Sequence, residues 1–198
     1  MKLVLASKNE KKLKEMNEIL SALGVEVCLQ SDAGVDVDVE ETGTTFEENS
    51  RLKAQAVMEA SGLPAVADDS GLCVDALNGG PGVYSARYGG EGLDDAGRNR
   101  LLLASMPRGA ARTAKFVSVI TCCFPNGDVL TARGECPGTI AFAPMGEGGF
   151  GYDPVFFQPK LKKTFAQLSA EEKNAISHRG KALEDFAEKL KEYFAQNR

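Results

Sequence analysis

Apolar positions in the N-terminal third alternate between two rhythms. "KLVLA", Lys2 to Ala6, is an apolar run of strand length. In the segment after it Leu13, Met16, Leu20 and Leu23 recur at helical spacing, and Gly24 supplies a stop. "VEVCLQ", Val25 to Gln30, reads as a second strand. Beyond an acidic loop, "TTFEENSRLKAQAVMEASG" opens on a threonine suited to an N-cap and closes on Gly62, so the pattern predicts a second amphipathic helix. "PAVA", Pro64 to Ala67, predicts a third strand that ends at Asp68-Asp69, ahead of a Ser-Gly turn. The order strand, helix, strand, helix, strand predicts an α/β unit with helices packed on a sheet.

The middle of the chain changes character. "RTAKFVSVITCCF", then Asn126-Gly127, then "DVLTARGEC" predicts two long strands around a hairpin turn, and hence a mixed sheet. The glycine-rich "MGEGGFGYDPVF" follows, and the C-terminal "SAEEKNAISHRGKALEDFAEKLKEYFAQ" is helical, with a break or change of direction near His178-Arg179-Gly180. There are no internal repeats or linkers, which predicts one domain over residues 1–198, folded as two lobes with a cleft.

Composition narrows the function classes. With 198 residues, 43% of them hydrophobic and 26% charged, the chain can bury a substantial core. The first apolar run is too short for a signal peptide, and no stretch reaches membrane-spanning length, so the expectation is a cytoplasmic protein with no membrane partner. A net charge of -5 argues against a nucleic-acid binder working by broad phosphate neutralisation, but leaves room for a small anionic ligand. The five cysteines form no Cys-x-x-Cys pair and His178 is the single histidine, so a Cys/His zinc site is not expected.

Four clusters could carry chemistry. In "ASKNEKK" a strand turns into a helix whose first turn holds Ser7, Asn9 and Lys12. Free N–H groups at a helix start, with lysines beside them, can cradle phosphate; a plain N-cap with solvated lysines is the alternative. It is not the phosphate loop of the Gly-x-x-x-x-Gly-Lys-Ser type. The acidic cluster comprises Asp36, Asp38, Glu40 and Glu41 with Asp68-Asp69. Carboxylates brought together repel one another unless a cation intervenes, and oxygen ligands favour Mg²⁺; a solvated loop and a capping aspartate are the alternative. In "GEGGFGYDP", Gly146, Gly148 and Gly151 match a dinucleotide fingerprint by spacing, but Tyr152-Asp153-Pro154 opens no helix. There Phe150 or Tyr152 offers an aromatic face and Asp153 an acceptor, unless the aromatics are core. "EEKNAISHRGKAL" places Lys173, Ser177, His178 and Arg179 near a helix start, suited to phosphate and carbonyl oxygens or to solvent.

Taken together, "LASKNEKKLKE", "EETGTTFEENSRLKA", "LPAVADDSGLCVDALNGGPGVYSARYGG", "GGFGYDPVF" and "EEKNAISHRGKAL" resemble, in order and over almost the whole chain, the dITP/XTP pyrophosphatase family, also called RdgB/HAM1 or inosine-triphosphatase-like. The resemblance implies an elongated α/β fold of two lobes, with a mixed twisted sheet, flanking helices and a central cleft. It implies a cytoplasmic homodimer that uses Mg²⁺ to split ITP, dITP or XTP into monophosphate and pyrophosphate, clearing non-standard purines from the nucleotide pool. Carried over by motif, Ser7, Lys8, Asn9, Glu10, Lys11 and Lys12 hold the triphosphate, with Lys53 a further phosphate residue. Glu40 and Asp69 bind Mg²⁺, Asp69 is also the proton acceptor, and Ser70 touches the substrate. Phe150, Gly151, Tyr152, Asp153, Lys173, His178 and Arg179 complete the nucleotide site. Lys8 stands where many relatives have glycine, which adds charge near the phosphates. Two rival classes are the Maf-like nucleotide pyrophosphatases and a nucleotide-sensing module without catalysis.

Overall fold

In the computed structural model, which describes residues 1–197, the elements of the first third form close to where the periodicity places them. Strand β1 (Lys2–Leu5) leads to helix α1 (Glu10–Leu20), and β2 (Glu26–Leu29) to α2 (Phe46–Ser61). Helix α2 starts in a capping box: the Thr45 hydroxyl accepts from the Glu48 backbone N–H at 3.1 Å, and the Glu48 carboxylate accepts from the Thr45 N–H at 3.2 Å. The helix stops at Gly62 as expected.

Strand β3 (Ala65–Val74) corrects the sequence reading, because it runs straight through Asp68, Asp69 and the Ser-Gly step instead of ending there. A helix that the periodicity did not mark, α3 (Asp95–Ser105), comes next, capped by Asp94, whose carboxylate accepts from the Gly97 N–H at 2.7 Å. The hairpin strands are β4 (Thr113–Cys123) and β5 (Val129–Ile140), followed by short β6 (Phe156–Gln158) and β7 (Lys163–Thr164). The C-terminal helical stretch divides at Ser177, whose extended backbone separates α4 (Ala170–Ile176) from α5 (His178–Gln196). The seven strands take the order β2-β1-β3-β4-β5-β6-β7. β1 is parallel to β2 and β3, whereas β6 is antiparallel to β5 and β7, so the sheet is mixed and the fold is α/β.

The chain divides into two compact units. The first comprises Met1–Asp69, Ser118–Gly134 and the chain from Arg179 onward. Its strands are apolar on both faces for a visible reason. Leu3, Leu5 and Val66 pack with Met16 and Leu20 of α1 and with Leu183, Phe186 and Leu190 of α5. The intervening residues Val4, Ala65 and Ala67 pack on the opposite face with Ala54 and Val57 of α2. Successive strand residues face opposite ways, so a strand covered on both sides reads as a continuous hydrophobic run. The second unit comprises Ser70–Val117 and Glu135–His178. Its core centres on Phe116, Phe156 and Phe165, with ring centroids 4.4 to 5.7 Å apart.

Candidate active site

The alternation of β3 decides what the two adjacent aspartates do. Asp68 has the parity of Val66 and faces α1 and α5; Asp69 has the parity of Ala67 and faces α2. The pair therefore does not act as one bidentate acidic patch.

Asp68 is a buried anchor. Its Oδ2 accepts from Arg179 Nε at 2.5 Å, its Oδ1 from the Ser118 hydroxyl at 3.1 Å, and Arg179 continues to Glu15 Oε2 at 2.7 Å. The side chains of Asp68 and Arg179 are 0% and 5% exposed, so each supplies the buried counter-charge that water cannot. Burial opposes the charge on Arg179, but Asp68 and Glu15 outweigh it and hold its pKa above the ordinary value. Arg179, expected as a nucleotide residue, holds Asp68 in this structure through its Nε. Glu15, which no motif had singled out, completes the anchor.

Asp69 has a different setting. Its Oδ1 accepts from Lys53 Nζ at 2.7 Å, while its Oδ2 is buried with no hydrogen-bond partner. The same ammonium donates to Glu41 Oε1 at 2.7 Å and to the Asp68 carbonyl oxygen at 3.3 Å. Burial raises the Asp69 pKa above the ordinary carboxylate value, and Lys53 only partly offsets this. For Lys53 burial alone would favour the neutral amine, but Asp69 and Glu41 outweigh it and raise the pKa, so the group is a cation near neutral pH. Lys12 Nζ donates to the Asp68 carbonyl oxygen at 3.1 Å, and burial lowers its pKa.

The acidic loop reaches Lys53 through Glu41, while Glu40, the residue expected as a metal ligand, is exposed. Asn49, buried in the first turns of α2, holds this loop. Its Oδ1 accepts from the Gly43 N–H at 2.8 Å, and a Cβ at Gly43 would lie 2.6 Å from that same oxygen. A side chain at position 43 would therefore push the loop off its clamp.

At the start of α1, Asn9 is the N-cap: its Oδ1 accepts from the N–H groups of Lys11 and Lys12, and Ser7 Oγ accepts from the Asn9 N–H. Lys8, Glu10 and Lys11 are exposed, and Lys8 lies 3.6 Å from Asp36.

In the second unit, Asp153 Oδ2 accepts from the Phe150 N–H at 2.9 Å and from Lys173 Nζ at 2.7 Å, and Lys173 lies 4.6 Å over the Phe150 ring. Gly149 is required by this turn: its φ is +71°, and a Cβ there would fall 2.0 Å from Asp153 Oδ2. Helix α3 pins the same turn, Asn99 Nδ2 donating to the Gly151 carbonyl at 3.0 Å and Asp95 accepting from the Gly151 N–H at 2.7 Å. A groove of about 540 Å³ opens between α3 and this turn, with Phe150 in its wall. Tyr152 is a core residue instead of an open aromatic face; it is buried and donates its hydroxyl to the Ser85 carbonyl at 2.7 Å. His178 is buried, stacked on Phe116 at 4.6 Å, and Ser70 is half-buried where β3 enters the second unit.

Among the described residues, no group of three or more His, Cys, Asp and Glu side chains is arranged to hold a metal ion. The donors present are carboxylate and carbonyl oxygens, the buried Asp69 Oδ2 among them, and these suit an ion that completes its shell with water and ligand oxygens.

Known proteins match this chain over most of their length. A dITP/XTP pyrophosphatase of Haemophilus influenzae is 52% identical over 193 residues, spanning 96% of this chain and 98% of that protein. A dITP/XTP pyrophosphatase of Thermus thermophilus is 49% identical, spanning 97% of this chain and 93% of its own. The structure of a HAM1 protein from Coxiella burnetii matches with a TM-score of 0.91 at 44% identity, covering 97% of this chain and 99% of that one. The Ham1 protein of Staphylococcus aureus matches with a TM-score of 0.90 at 44% identity, over 98% and 100% of the two chains. The model for the Ham1 family covers residues 3–189, and on this breadth of agreement the chain belongs to the Ham1 family.

Proposed function

We propose that this chain is a Mg²⁺-dependent pyrophosphatase that converts ITP, dITP and XTP to the nucleoside monophosphate and pyrophosphate. One observation carries the reading furthest: Asp69 is a buried carboxylate with one oxygen fixed by Lys53 and the other unpartnered. A buried acceptor left open is what a base needs in order to take a proton from an attacking water. The names of the relatives, dITP/XTP pyrophosphatases at about half identity, support the same reaction.

Asp69 and Glu40 are proposed as the protein ligands of Mg²⁺, with Glu41 beside them through its tie to Lys53. When bound, the metal neutralises phosphate oxygens and lowers the pKa of a coordinated water. Asp69 Oδ2 accepts the water's proton, and its raised pKa makes it the stronger acceptor. Lys12 and Lys53, whose ammonium groups both donate to the Asp68 carbonyl oxygen, are proposed to share the charge of the departing pyrophosphate, together with Ser7 and Asn9 at the start of α1. Asp68 and Arg179 set the position of β3 and hence of Asp69. Phe150, Gly151, Asp153, Lys173 and His178 are proposed nucleotide residues of the second unit. Hypoxanthine and xanthine present O6 as an acceptor, so the discriminating group is a donor. With Arg179 engaged by carboxylates, His178 or a backbone N–H is the proposed donor. Homodimerisation and a cytoplasmic location belong to this reading through the family resemblance.

A panel of ITP, dITP, XTP, ATP and GTP, each with Mg²⁺ and with chelator, tests the proposal. ITP, dITP and XTP should exceed ATP and GTP by at least ~10²-fold in kcat/KM, with activity lost in chelator. Equal rates on all five would refute the proposed selectivity. A nucleotide-sensing protein would release no pyrophosphate at all.

A further inference from the structure

Lys53 sits in a seat built for a cation. Its ammonium has three oxygen neighbours, Glu41 Oε1 at 2.7 Å, Asp69 Oδ1 at 2.7 Å and the Asp68 carbonyl oxygen at 3.3 Å, one for each N–H. The side chains of Lys53, Glu41 and Asp69 are 15%, 23% and 8% exposed, so water screens this cluster poorly. Two carboxylates and a carbonyl are also the donors that a hard divalent ion selects. The ammonium and a metal bound to Asp69 would lie within a few ångströms of each other as like charges.

Lys53 has no other acid to move to among the groups it touches. Both oxygens of Asp68 are taken, one by Ser118 and one by Arg179, and Lys12, which donates to the same Asp68 carbonyl oxygen, has the same sign. A polyphosphate changes this, because it brings several negative oxygens that Lys53 can take in exchange for Asp69.

We propose that Lys53 acts as a resident counter-ion which keeps divalent metal off Asp69 until a triphosphate arrives, so that metal and nucleotide bind with strong positive coupling. The inference rests on the proposed function for the identity of the nucleotide. Lys53 then does two jobs in sequence: it neutralises Glu41 and Asp69 in the free protein and moves to phosphate when the metal enters. Linkage makes the coupling reciprocal, so a group that weakens metal binding in the free protein strengthens its dependence on nucleotide.

The test is metal binding without turnover. Mn²⁺ is titrated into nucleotide-free protein and followed by the electron paramagnetic resonance of free Mn²⁺, for wild type, Lys53→Met, Lys53→Gln and Lys12→Met. Thermal denaturation of each variant checks that it is folded, and Lys53→Gln keeps polar contacts should the methionine variant fail. Removing the resident cation should tighten Mn²⁺ binding by about 10-fold or more, within the range of site-to-site couplings, and Lys12→Met should do so by less. Adding a non-hydrolysable ITP analogue should tighten Mn²⁺ binding about 10-fold or more in wild type, and by less in the Lys53 variants. Unchanged or weaker Mn²⁺ affinity in folded Lys53 variants would overturn the inference, as would an equal gain in Lys12→Met. Failure to hydrolyse ITP would count against the proposed function alone, since the nucleotide-free titration does not depend on it.

Discussion

Replacing Arg179 with methionine separates a scaffold role from a base-recognition role. The substitution retains much of the aliphatic stem and removes the guanidinium that bonds Asp68 Oδ2 at 2.5 Å and Glu15 Oε2 at 2.7 Å. The two abandoned acids differ in consequence. Glu15, with a side chain 19% exposed, can recover water, whereas Asp68 is 0% exposed and loses the guanidinium that bonds its Oδ2, with Ser118 on its Oδ1 and the ammonium of Lys12 at 3.8 Å. Breaking a buried pair from one side costs about 3–5 kcal/mol, and Asp68 supplies most of it here. For a chain of this length each kcal/mol moves the melting temperature by about 2–4 °C, so a fall of roughly 6–20 °C is expected. Guanidinium denaturation measures the loss directly. The double variant Asp68→Asn/Arg179→Met should be less destabilised than the sum of the single changes, because the stranded charge is gone. Steady-state rates on ITP and ATP complete the assay: a scaffold residue lowers both alike. A stability loss below about 1 kcal/mol, or a selective loss on ITP, would refute the buried-anchor reasoning.

Asp69→Asn should cut turnover by about 10²-fold or more while circular dichroism and melting stay near wild type; activity within a few-fold would remove Asp69 as the base. Asn49→Ala and Gly43→Ala break one contact from its two sides, the Asn49 Oδ1 bond to the Gly43 N–H, so each should weaken Mg²⁺ activation and the double variant should add little; full additivity would show that the clamp is not one unit. Burial pushes the Cys28, Cys122 and Cys123 thiols up, so at pH 8 they remain protonated and unreactive. Of the five free cysteines, no more than the other two should react quickly with a disulfide reagent in the native protein, and fast reaction of four or five would contradict the buried-thiol picture.

Much of the fold was legible because local signals and packing agree in the first unit. The Thr45 capping box, the Gly62 stop and the apolar run of β1 each encode one boundary, and each boundary forms where it is encoded. The full length of β3 is not legible locally, because aspartates look like strand breakers until partners are known, and those partners, Arg179, Ser118 and Lys53, lie from 16 to 111 residues away in the chain. Helix α3 carries no 3.6-residue rhythm, because Leu101, Leu102 and Leu103 are consecutive and Gly97 interrupts the face. At the site, residue types were readable but directions were not. Adjacent aspartates suggest a shared ion, whereas strand alternation sends them to opposite faces. Arginine after histidine suggests a donor to a base, but nothing in the motif shows that its Nε and Nη1 also bond acids from β3 and α1. Glu15 carried no sequence signal beyond its place on the polar side of an amphipathic helix.

The central claim of the proposed function is that water attacks the α-phosphorus and expels pyrophosphate. Hydrolysis of ITP with Mg²⁺ in ¹⁸O-enriched water, followed by phosphorus NMR, tests it in one measurement through product identity and isotope shift. The account predicts inosine monophosphate carrying the ¹⁸O and unlabelled pyrophosphate. Label in the pyrophosphate, or orthophosphate as the first product, would contradict it.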